Sequence, residues 1–433
     1  MANEMPFETA EQKEKAILVF LPEARSTWEE TDLYEELKEL SDTAGLEVVD
    51  YLVQHRASPD TAYFLGRGKL EELRGLALAK EADCVVFDHT LSPSQLHNLS
   101  RALDLKVIDK TMLILDIFAQ RARSREGKLQ VELAQSTYLL PRLTGQGINL
   151  SRQGGMGKGN GVGTRGPGET KLEMDKRRIR QRISAIKHEL KEVRKHRDVQ
   201  QKSKLRHGIP LITLVGYTNA GKSSLLNALT EDEIYVEDQL FATLDPTTRS
   251  FYLPNGTKAL LTDTVGFIHD LPPQLIEAFK ATLDELQYAD LLVHVIDCSN
   301  PNFENQLEAV DEILAGMDLK DKPRMYVFNK IDRLEDLPVS SIHLDRDASV
   351  YVSAAKGTNL ERLKEKMQNM IRKTVTRSFA IPLTEGRLLN LAYEAGQVKD
   401  LEYTETAACF VWTGDEKNIP RPLMPYQKQN ENE

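Results

Sequence analysis

The chain has 433 residues, of which 40% are hydrophobic and 28% charged, which is typical of a globular protein with about three domains. Its three cysteines lack the spacing of a metal site or a redox motif, which favours a reducing compartment and ordinary buried thiols. No apolar run approaches the ~18 residues of a membrane span, and the acidic start lacks the apolar core of a signal peptide. These features argue against a membrane-spanning or disulfide-rich secreted protein and indicate a cytoplasmic one.

The net charge of −10 conceals three blocks of different sign. Residues 1–110 carry −10, residues 111–208 carry +13 and residues 209–433 carry −13. A basic block inside an acidic protein indicates a surface that faces phosphate groups.

Strand and helix patterns alternate through residues 1–110. Buried-strand runs at 16–20, 46–53, 84–87 and 107–109 are separated by helical patterns at 28–40, 69–79 and 93–103. Ser92 before Pro93 is typical of a helix N-cap. This order predicts a small parallel α/β domain. The segment Gly66-Arg67-Gly68-Lys69 is too short for a phosphate loop, so we interpret it as a plain turn in preference to a second nucleotide site.

Residues 111–208 predict two helices around a glycine-rich loop. Ten glycines lie among residues 145–168, and we expect this loop to be mobile. The helix after it carries a heptad-like apolar seam, formed by Leu172, Ile179, Ile183, Ile186, Leu190 and Val193. Its other faces are crowded with lysine and arginine. We interpret the pair as an antiparallel hairpin that contacts folded RNA through backbone and shape, since aromatic residues are scarce; the alternative is a solvated helix with a passive linker.

A phosphate loop of the form G-x-x-x-x-G-K-S follows the strand-like run 211–215 and opens a helical pattern at 224–229. Its glycines allow backbone N–H groups to close around the β-phosphate. Lys222 can reach the β- and γ-phosphates, and the Ser223 hydroxyl can ligate Mg²⁺. The predicted phosphate-binding residues are Gly216, Tyr217, Thr218, Asn219, Ala220, Gly221, Lys222 and Ser223.

Two later segments have the form of nucleotide-sensing switches. In the first, residues 241–249, we choose Thr243 as the ligand of Mg²⁺ and the γ-phosphate, with Thr247 and Thr248 as alternatives. The nucleotide contacts predicted there are Phe241, Ala242, Thr243, Leu244 and Asp245. The second is Asp263-Thr264-Val265-Gly266, where Asp263 should hold Mg²⁺ and the Gly266 N–H should sense the γ-phosphate. We therefore assign Lys222, Thr243 and Gly266 to hydrolysis, and Ser223, Thr243 and Asp263 to the metal.

The base is predicted to be guanine. The segment Asn329-Lys330-Ile331-Asp332 follows a strand at 324–328, and the Asp332 carboxylate can accept hydrogen bonds from guanine N1–H and its 2-amino group. Adenine offers neither, which would leave a buried carboxylate unpaired. Lys330 can pack along the base. Backbone N–H groups of Ser353, Ala354 and Ala355 can reach the guanine O6, and Val352 before them is also predicted to contact the nucleotide.

Two positions modify the expected chemistry. Phe267 follows Gly266 where Ras-like enzymes have a glutamine that orients the attacking water, and an aromatic ring cannot do so. We therefore expect slow intrinsic hydrolysis. Asn219 matches a pattern seen in potassium-stimulated members of the phosphate-loop GTPase superfamily. Dependence of the hydrolysis on K⁺ is therefore a hypothesis.

Three stretches together resemble the HflX family of ribosome-associated GTPases, in the Obg-like branch of translation-factor GTPases. They are residues 159–173 (GNGVGTRGPGETKLE), 241–249 (FATLDPTTR) and 64–69 (FLGRGK), and the resemblance covers essentially the whole chain. It implies a GTPase that binds the large ribosomal subunit and its RNA, with the N-terminal region and its loop near the peptidyl-transferase centre. Family members are linked to splitting stalled ribosomes under stress. The hydrophobic residue at position 267 is also a family trait.

We thus predict a multidomain α/β protein. Its parts are an N-terminal parallel α/β domain (1–110), a basic helical hairpin with its glycine-rich loop (111–208, loop 145–168), a P-loop GTPase domain (209–372) and a small α+β domain (373–433) with a polar, proline-rich tail that we expect to be disordered from about residue 421. We expect a monomer that hydrolyses GTP on the ribosome with Mg²⁺ and has no integral membrane contact. The alternatives are a large-subunit assembly chaperone, and a signalling GTPase whose hairpin binds a protein or, peripherally, an anionic membrane.

Overall fold

The computed structural model describes residues 13–22, 28–153, 167–206, 209–230, 240–241, 243, 246–272, 275, 284–320, 322–335, 348–371, 374–404, 406–415 and 419–427. The chain divides into two compact units, one formed by residues 1–252 with 258–360 and the other by residues 253–257 with 361–433. No helix in the described part of the chain is long and apolar enough to cross a membrane.

The first unit begins with the parallel α/β layer that the sequence predicts. Its sheet has the order β2-β1-β3-β4, and every pairing is parallel. The strands are β1 (Lys15–Phe20), β2 (Glu47–Val53), β3 (Cys84–Phe87) and β4 (Lys106–Asp109), and the helices are α1 (Glu30–Thr43), α2 (Arg67–Lys80) and α3 (Pro93–Leu103). The Ser92 hydroxyl accepts a hydrogen bond from Gln95 N, as expected for an N-cap. Gly66 precedes α2 as the predicted plain turn.

Three helices connect this layer to the nucleotide-binding part: α4 (Lys110–Arg121), α5 (Arg125–Gln153) and α6 (Pro167–Arg206). Leu129 and Leu133 of α5 pack against the buried Ile186 of α6. The Arg182 guanidinium donates two hydrogen bonds of 2.6 Å to the Glu132 carboxylate, and Arg125 reaches Glu189 at 3.2 Å. These pairs place the start of α5 beside the later part of α6, so the helices form the predicted antiparallel hairpin.

The predicted glycine-rich loop at 145–168 is too long at both ends. Helix α5 continues to Gln153 and α6 already begins at Pro167. Adding residues to an existing helix costs little free energy, because the helix is already nucleated. One glycine destabilises a helix by only ~1 kcal/mol relative to alanine. Proline is well suited to the first position of a helix. Residues 154–166, to which the prediction of mobility also refers, lie outside the described residues.

The nucleotide-binding part contains a six-stranded sheet of order β10-β9-β8-β5-β7-β6, in which β6 is antiparallel to β7 and the other pairs are parallel. The strands are β5 (Leu211–Gly216), β6 (Thr247–Tyr252), β7 (Lys258–Asp263), β8 (Leu291–Asp297), β9 (Arg324–Asn329) and β10 (Ser349–Tyr351). Helices α7 (Lys222–Leu229) and α8 (Phe303–Gly316) lie in this part. Because β5, β7, β8 and β9 end at the same edge, the motifs that follow them meet there.

One apolar core extends through the first unit. It contains Leu37 of α1, Phe118 of α4 and Tyr138 of α5 together with Phe241 and Phe267, which lie in or beside the two predicted switches. The switches therefore share a core with the N-terminal layer and with the base of the hairpin.

The second unit contains a three-stranded antiparallel sheet of order β11-β13-β12 around the buried Trp412. Its elements are α9 (Leu360–Ile371, of which Leu360 belongs to the first unit), β11 (Thr374–Pro382), α10 (Gly386–Ala395), β12 (Gln397–Tyr403) and β13 (Ala407–Asp415).

The prediction of a disordered tail from residue 421 is wrong for residues 421–427. They form a short 3₁₀ turn in which Leu423 is fully buried and Tyr426 hydrogen-bonds Glu385 at 3.0 Å. One buried leucine anchors a polar, proline-rich segment. Residues 428–433 lie outside the described residues. The domain boundaries at residues 110, 208 and 372 remain predictions.

Candidate guanine-nucleotide site

Two glycines allow the phosphate loop to turn at the end of β5. Gly216 has φ +150°, and a Cβ there would lie 2.2 Å from the Val295 carbonyl oxygen. Gly221 has φ +89°, and its Cβ would lie 2.3 Å from the Asn329 side-chain nitrogen. A side chain at either position would push the loop away from β8 or from Asn329. Backbone N–H groups of the loop consequently converge at the N-terminus of α7, where an anion is favoured.

The Lys222 side chain is folded into this loop. It is 7% exposed, and its ammonium donates hydrogen bonds to the carbonyls of Gly216 at 3.1 Å and Tyr217 at 2.8 Å. Burial lowers the pKa of Lys222 to about 8, and the nearby Asp263 carboxylate offsets this only in part. A bound phosphate would supply the missing negative charge.

Three side chains from different elements meet beside the loop. The Ser223 hydroxyl is 2.6 Å from Asp263 Oδ2 and 2.9 Å from the Thr243 hydroxyl, which is itself 2.8 Å from the same oxygen. Asp263 is 1% exposed, and its buried Oδ1 has no hydrogen-bond partner among the described residues. Burial raises the pKa of Asp263, so a cation beside this carboxylate would stabilise its charged form. Two hydroxyls, a carboxylate and an unpartnered oxygen fit Mg²⁺, which prefers oxygen ligands.

The alternatives to Thr243 are placed elsewhere. Thr247 and Thr248 belong to β6, and the Thr248 hydroxyl is 2.8 Å from that of Thr262 across the β6–β7 ladder. The described residues contain no cluster of three or more His, Cys, Asp or Glu that could hold a metal.

The segment after β7 lies directly against the phosphate loop. Phe267 N donates to the Gly216 carbonyl at 3.2 Å, and Thr218 N donates to the Phe267 carbonyl at 2.8 Å. A Cβ on Gly266 would lie 2.8 Å from Thr218 Cα and 3.0 Å from the Lys222 ammonium nitrogen, so glycine is required for this approach. The Phe267 ring is 2% exposed and belongs to the shared apolar core. It therefore takes no part in orienting water.

The predicted guanine-binding residues form a connected network. Asn329 donates to the Ala220 carbonyl at 3.0 Å and accepts from Ala354 N at 3.0 Å, so it joins the phosphate loop to the segment after β10. Asp332 Oδ1 accepts from the Ser353 hydroxyl at 2.6 Å, and this bond lowers the pKa of Asp332. Asp332 is thus charged at neutral pH and held in orientation.

Lys330 forms an ion pair of 2.7 Å with Asp297 at the end of β8. The sequence reasoning missed this pair. The signal available was only that Asp297 ends a predicted buried strand.

A cavity of about 240 Å³ links these groups. Predicted residues on its wall are Thr218, Asn219, Gly221, Lys222, Ser223, Phe241, Thr243, Thr264, Gly266, Asn329, Lys330, Asp332, Ala354 and Ala355, and sequence reasoning missed Ser224 and Arg333. Gly216, Tyr217, Ala220, Asp263, Val265, Ile331, Val352 and Ser353 are not on the wall. Ala242, Leu244 and Asp245 lie outside the described residues.

Three family models match consecutive parts of the chain. They are described as GTP-binding GTPase N-terminal (residues 31–119), GTP-binding GTPase Middle Region (121–204) and 50S ribosome-binding GTPase (211–330). The chain is 48% identical over 399 residues to GTPase HflX of Caldanaerobacter subterraneus, an overlap of 92% of this chain and 90% of that protein. It belongs to the HflX GTPase family. GTPase HflX of Lacrimispora saccharolytica is 46% identical, with 92% and 93% covered.

Among solved structures, a GTP-binding protein from Sulfolobus solfataricus in complex with GDP is 26% identical, with a TM-score of 0.43 and coverage of 82% of this chain and 98% of that chain. Membership of the HflX family confirms the predicted GTPase activity, the hydrolysis of GTP to GDP and phosphate. The roles of individual site residues remain predictions that the geometry accommodates.

Proposed function

We propose that this HflX GTPase binds the large ribosomal subunit through its basic hairpin when GTP closes the two switches, and that it splits stalled ribosomes under stress. Splitting is steric in this proposal: the bound hairpin and domain displace contacts between the subunits, and hydrolysis then allows release. The description of the family model over residues 211–330, 50S ribosome-binding GTPase, supports the choice of partner.

The observation that carries the proposal is the contact between the first switch and the hairpin's base. The Phe241 ring, two residues before Thr243, packs against the Phe118 ring of α4 with 4.7 Å between centroids. Helix α4 ends at Arg121 and the hairpin begins at Arg125. A change in Thr243 and its neighbours would therefore reach the hairpin through packed side chains.

The charge of the hairpin supports an RNA partner. Arg182, Arg178 and Lys195 form ion pairs within the hairpin. Arg177 and Arg180 are exposed, with no ion pair to another described residue. Such side chains can neutralise phosphates, whereas the paired ones serve the hairpin itself.

For the chemical step, we assign Lys222 and the loop N–H groups to stabilising the charge that develops on the transferring phosphoryl group, with Gly266 N–H at the γ-phosphate. Ser223, Thr243 and Asp263 would hold Mg²⁺, which when bound neutralises phosphate charge and orients the β- and γ-oxygens. Since Phe267 cannot orient water, hydrolysis is slow until a partner or another residue completes the site. We also propose that Asn219 supports the stimulation of GTP hydrolysis by K⁺. Equal turnover in KCl and NaCl would contradict that hypothesis.

The test is the affinity for purified large subunits, measured at several salt concentrations with GDP and with a non-hydrolysable GTP analogue. We expect tighter binding with the analogue. The double variant Arg177→Glu, Arg180→Glu should weaken binding and reduce its salt dependence, whereas the matched control Arg182→Gln should change binding little. Binding that is equal with both nucleotides, or a double variant that binds like the wild type, would contradict the proposal. Preference for immature particles over mature subunits would favour the assembly alternative.

A further inference from the structure

The side chain of Tyr217 points out of the phosphate loop and into the N-terminal layer. Its hydroxyl accepts a hydrogen bond from His269 N at 2.6 Å and donates to the Glu36 carboxylate of α1. Glu36 in turn accepts from the buried ammonium of Lys110 at 3.0 Å, and Lys110 also reaches Asp88 at 3.2 Å. We call these five groups, from His269 N through Tyr217, Glu36 and Lys110 to Asp88, the Tyr217 junction.

The polarity of the junction is fixed by its chemistry. Burial, followed by the nearby Glu36 carboxylate, raises the pKa of Tyr217 well above its usual value, so the phenol stays protonated. A phenol has one proton to donate. Because the phenol donates that proton in its hydrogen bond to Glu36, a lone pair of the same oxygen is free to accept from His269 N–H. Trp28 stacks on the Tyr217 ring with 6.1 Å between centroids and lies 4.6 Å from the His269 ring, which encloses the pair.

The Glu36 side chain is also held in place. Burial by itself would lower the pKa of Lys110, but Asp88 and Glu36 outweigh it and raise the pKa, so the lysine remains charged. Lys110 therefore fixes both carboxylates through charge-assisted bonds. The N-terminal layer presents a rigid acceptor to the phosphate loop.

The junction is present together with a close grouping of the candidate metal ligands. Thr243, Ser223 and Asp263 lie within hydrogen-bond distance of one another, so the metal-binding side chains are assembled. In the same arrangement the turn from Gly266 to His269 is tied to the phosphate loop by Phe267 N, by the Phe267 carbonyl and by His269 N. The last of these hydrogen bonds, from His269 N, is accepted by the Tyr217 hydroxyl, which Glu36 of the N-terminal layer orients.

We propose that Tyr217 is a positioning residue for GTP hydrolysis, and that Glu36 acts through it to hold the Gly266–His269 turn against the phosphate loop. The N-terminal layer thereby sets the intrinsic turnover rate through one hydroxyl. When this bond is removed, the two backbone bonds of Phe267 remain but the turn is held less firmly, so the Gly266 N–H is at the γ-phosphate for a smaller fraction of the time. The β-phosphate contacts of the loop do not depend on it.

The experiment is intrinsic GTP turnover without ribosomes, with the dissociation constant of a fluorescent GTP analogue measured in parallel. Tyr217→Phe should lower kcat about tenfold and change nucleotide affinity less than about twofold. The matched control is Tyr138→Phe, because Tyr138 is also buried and its hydroxyl also donates to a carboxylate, Asp109, at 2.8 Å. Tyr138→Phe should lower the melting temperature but leave kcat unchanged.

Glu36 variants separate positioning from folding. Glu36→Ala should lower kcat as Tyr217→Phe does, and Glu36→Gln should restore part of the rate, because its amide oxygen can accept from the phenol although its amide nitrogen cannot accept from Lys110. The double variant Tyr217→Phe, Glu36→Ala should be no slower than Tyr217→Phe, since Glu36 acts only through the hydroxyl that Tyr217→Phe removes. Unchanged kcat in Tyr217→Phe, an equal fall in Tyr138→Phe, or a loss of nucleotide affinity that accounts for the whole effect would overturn the proposal. Because no ribosome is present, these outcomes are independent of the ribosomal proposal.

Discussion

The Phe118 ring packs edge-on against the Phe241 ring, with 4.7 Å between centroids and 78° between planes. Phe118 is on the helix that precedes the hairpin, and Phe241 is in the first switch. Both rings are buried in one core. The predicted first switch and the helix before the basic hairpin are therefore joined by an interior contact, where a small displacement of either ring has to be accommodated by repacking of the other.

The first prediction concerns this contact. Phe118→Leu keeps an apolar side chain but loses the edge-to-face pair, so the gain in large-subunit affinity on exchanging GDP for a GTP analogue should fall about tenfold. GTP affinity itself should be unchanged, because Phe118 is not on the cavity wall. Phe87→Leu is the control, since Phe87 is equally buried in a different core cluster. If both variants lose the same part of this nucleotide-dependent gain in affinity, general destabilisation is the cause. Phe118 would then have no specific role in coupling the switch to the hairpin.

The second prediction concerns the base. In Asp332→Asn the amide can donate to a carbonyl at position 2 of the base, so the variant should bind xanthosine triphosphate and lose about a hundredfold, ~2.7 kcal/mol, in GTP affinity. Competition binding with the two nucleotides measures this. The control is Asp297→Asn, because Asp297 pairs with Lys330 and is not on the cavity wall. Unaltered preference for GTP in Asp332→Asn would exclude Asp332 as the guanine-reading group.

The third prediction is a pH dependence with a definite sign. In the free protein the pKa of Lys222 is about 8, and a bound phosphate must raise it. Below pH 8 the lysine is charged in both states and affinity is constant. Above pH 8 binding requires proton uptake, so GDP affinity should fall as pH rises, by at most about tenfold per pH unit. Binding titrations with GDP from pH 7 to 9 measure this pH dependence. The variant Lys222→Ala should bind GDP weakly, and its affinity should not show the fall above pH 8 that is due to the lysine. An affinity that rises with pH would contradict the assignment.

The fourth prediction separates the candidate metal ligands. Thr243→Ala should increase the Mg²⁺ concentration needed for half-maximal GTP hydrolysis and should slow turnover. Thr248→Ala removes a hydroxyl that pairs with Thr262 instead, so its Mg²⁺ requirement should match that of the wild type. The reverse pattern would place the metal at Thr248. Mg²⁺ titrations of hydrolysis by the two variants decide between them.

Local signals made much of the fold predictable. Ser92 and Pro93 mark the start of α3, and the run Cys84–Phe87 coincides with β3. Both could be predicted because a helix cap and a buried strand depend on residues that are adjacent in the sequence. The nucleotide motifs could be read for a similar reason. Each follows a strand of one sheet, so Ser223, Asp263 and Asn329 had to meet at a common edge.

What could not be predicted depends on contacts between distant residues. Glu36 and Tyr217 are 181 positions apart, and nothing in either local pattern indicates that they meet. Leu423 is likewise anchored by the core of the second unit, so its proline-rich surroundings were wrongly interpreted as disordered. The end of α5 was misjudged because helix extension depends on the helix that precedes it, and composition alone does not show this.

The most direct test of the central claim is sedimentation of whole ribosomes through a sucrose gradient after incubation with the protein. With a non-hydrolysable GTP analogue, the whole-ribosome peak should decline, the free-subunit peaks should grow, and the protein should migrate with the large subunit. With GDP, the whole-ribosome peak should remain. Co-migration that leaves the peak intact in both nucleotide states would contradict splitting, and absence of the protein from every ribosomal fraction would contradict the ribosomal partner itself.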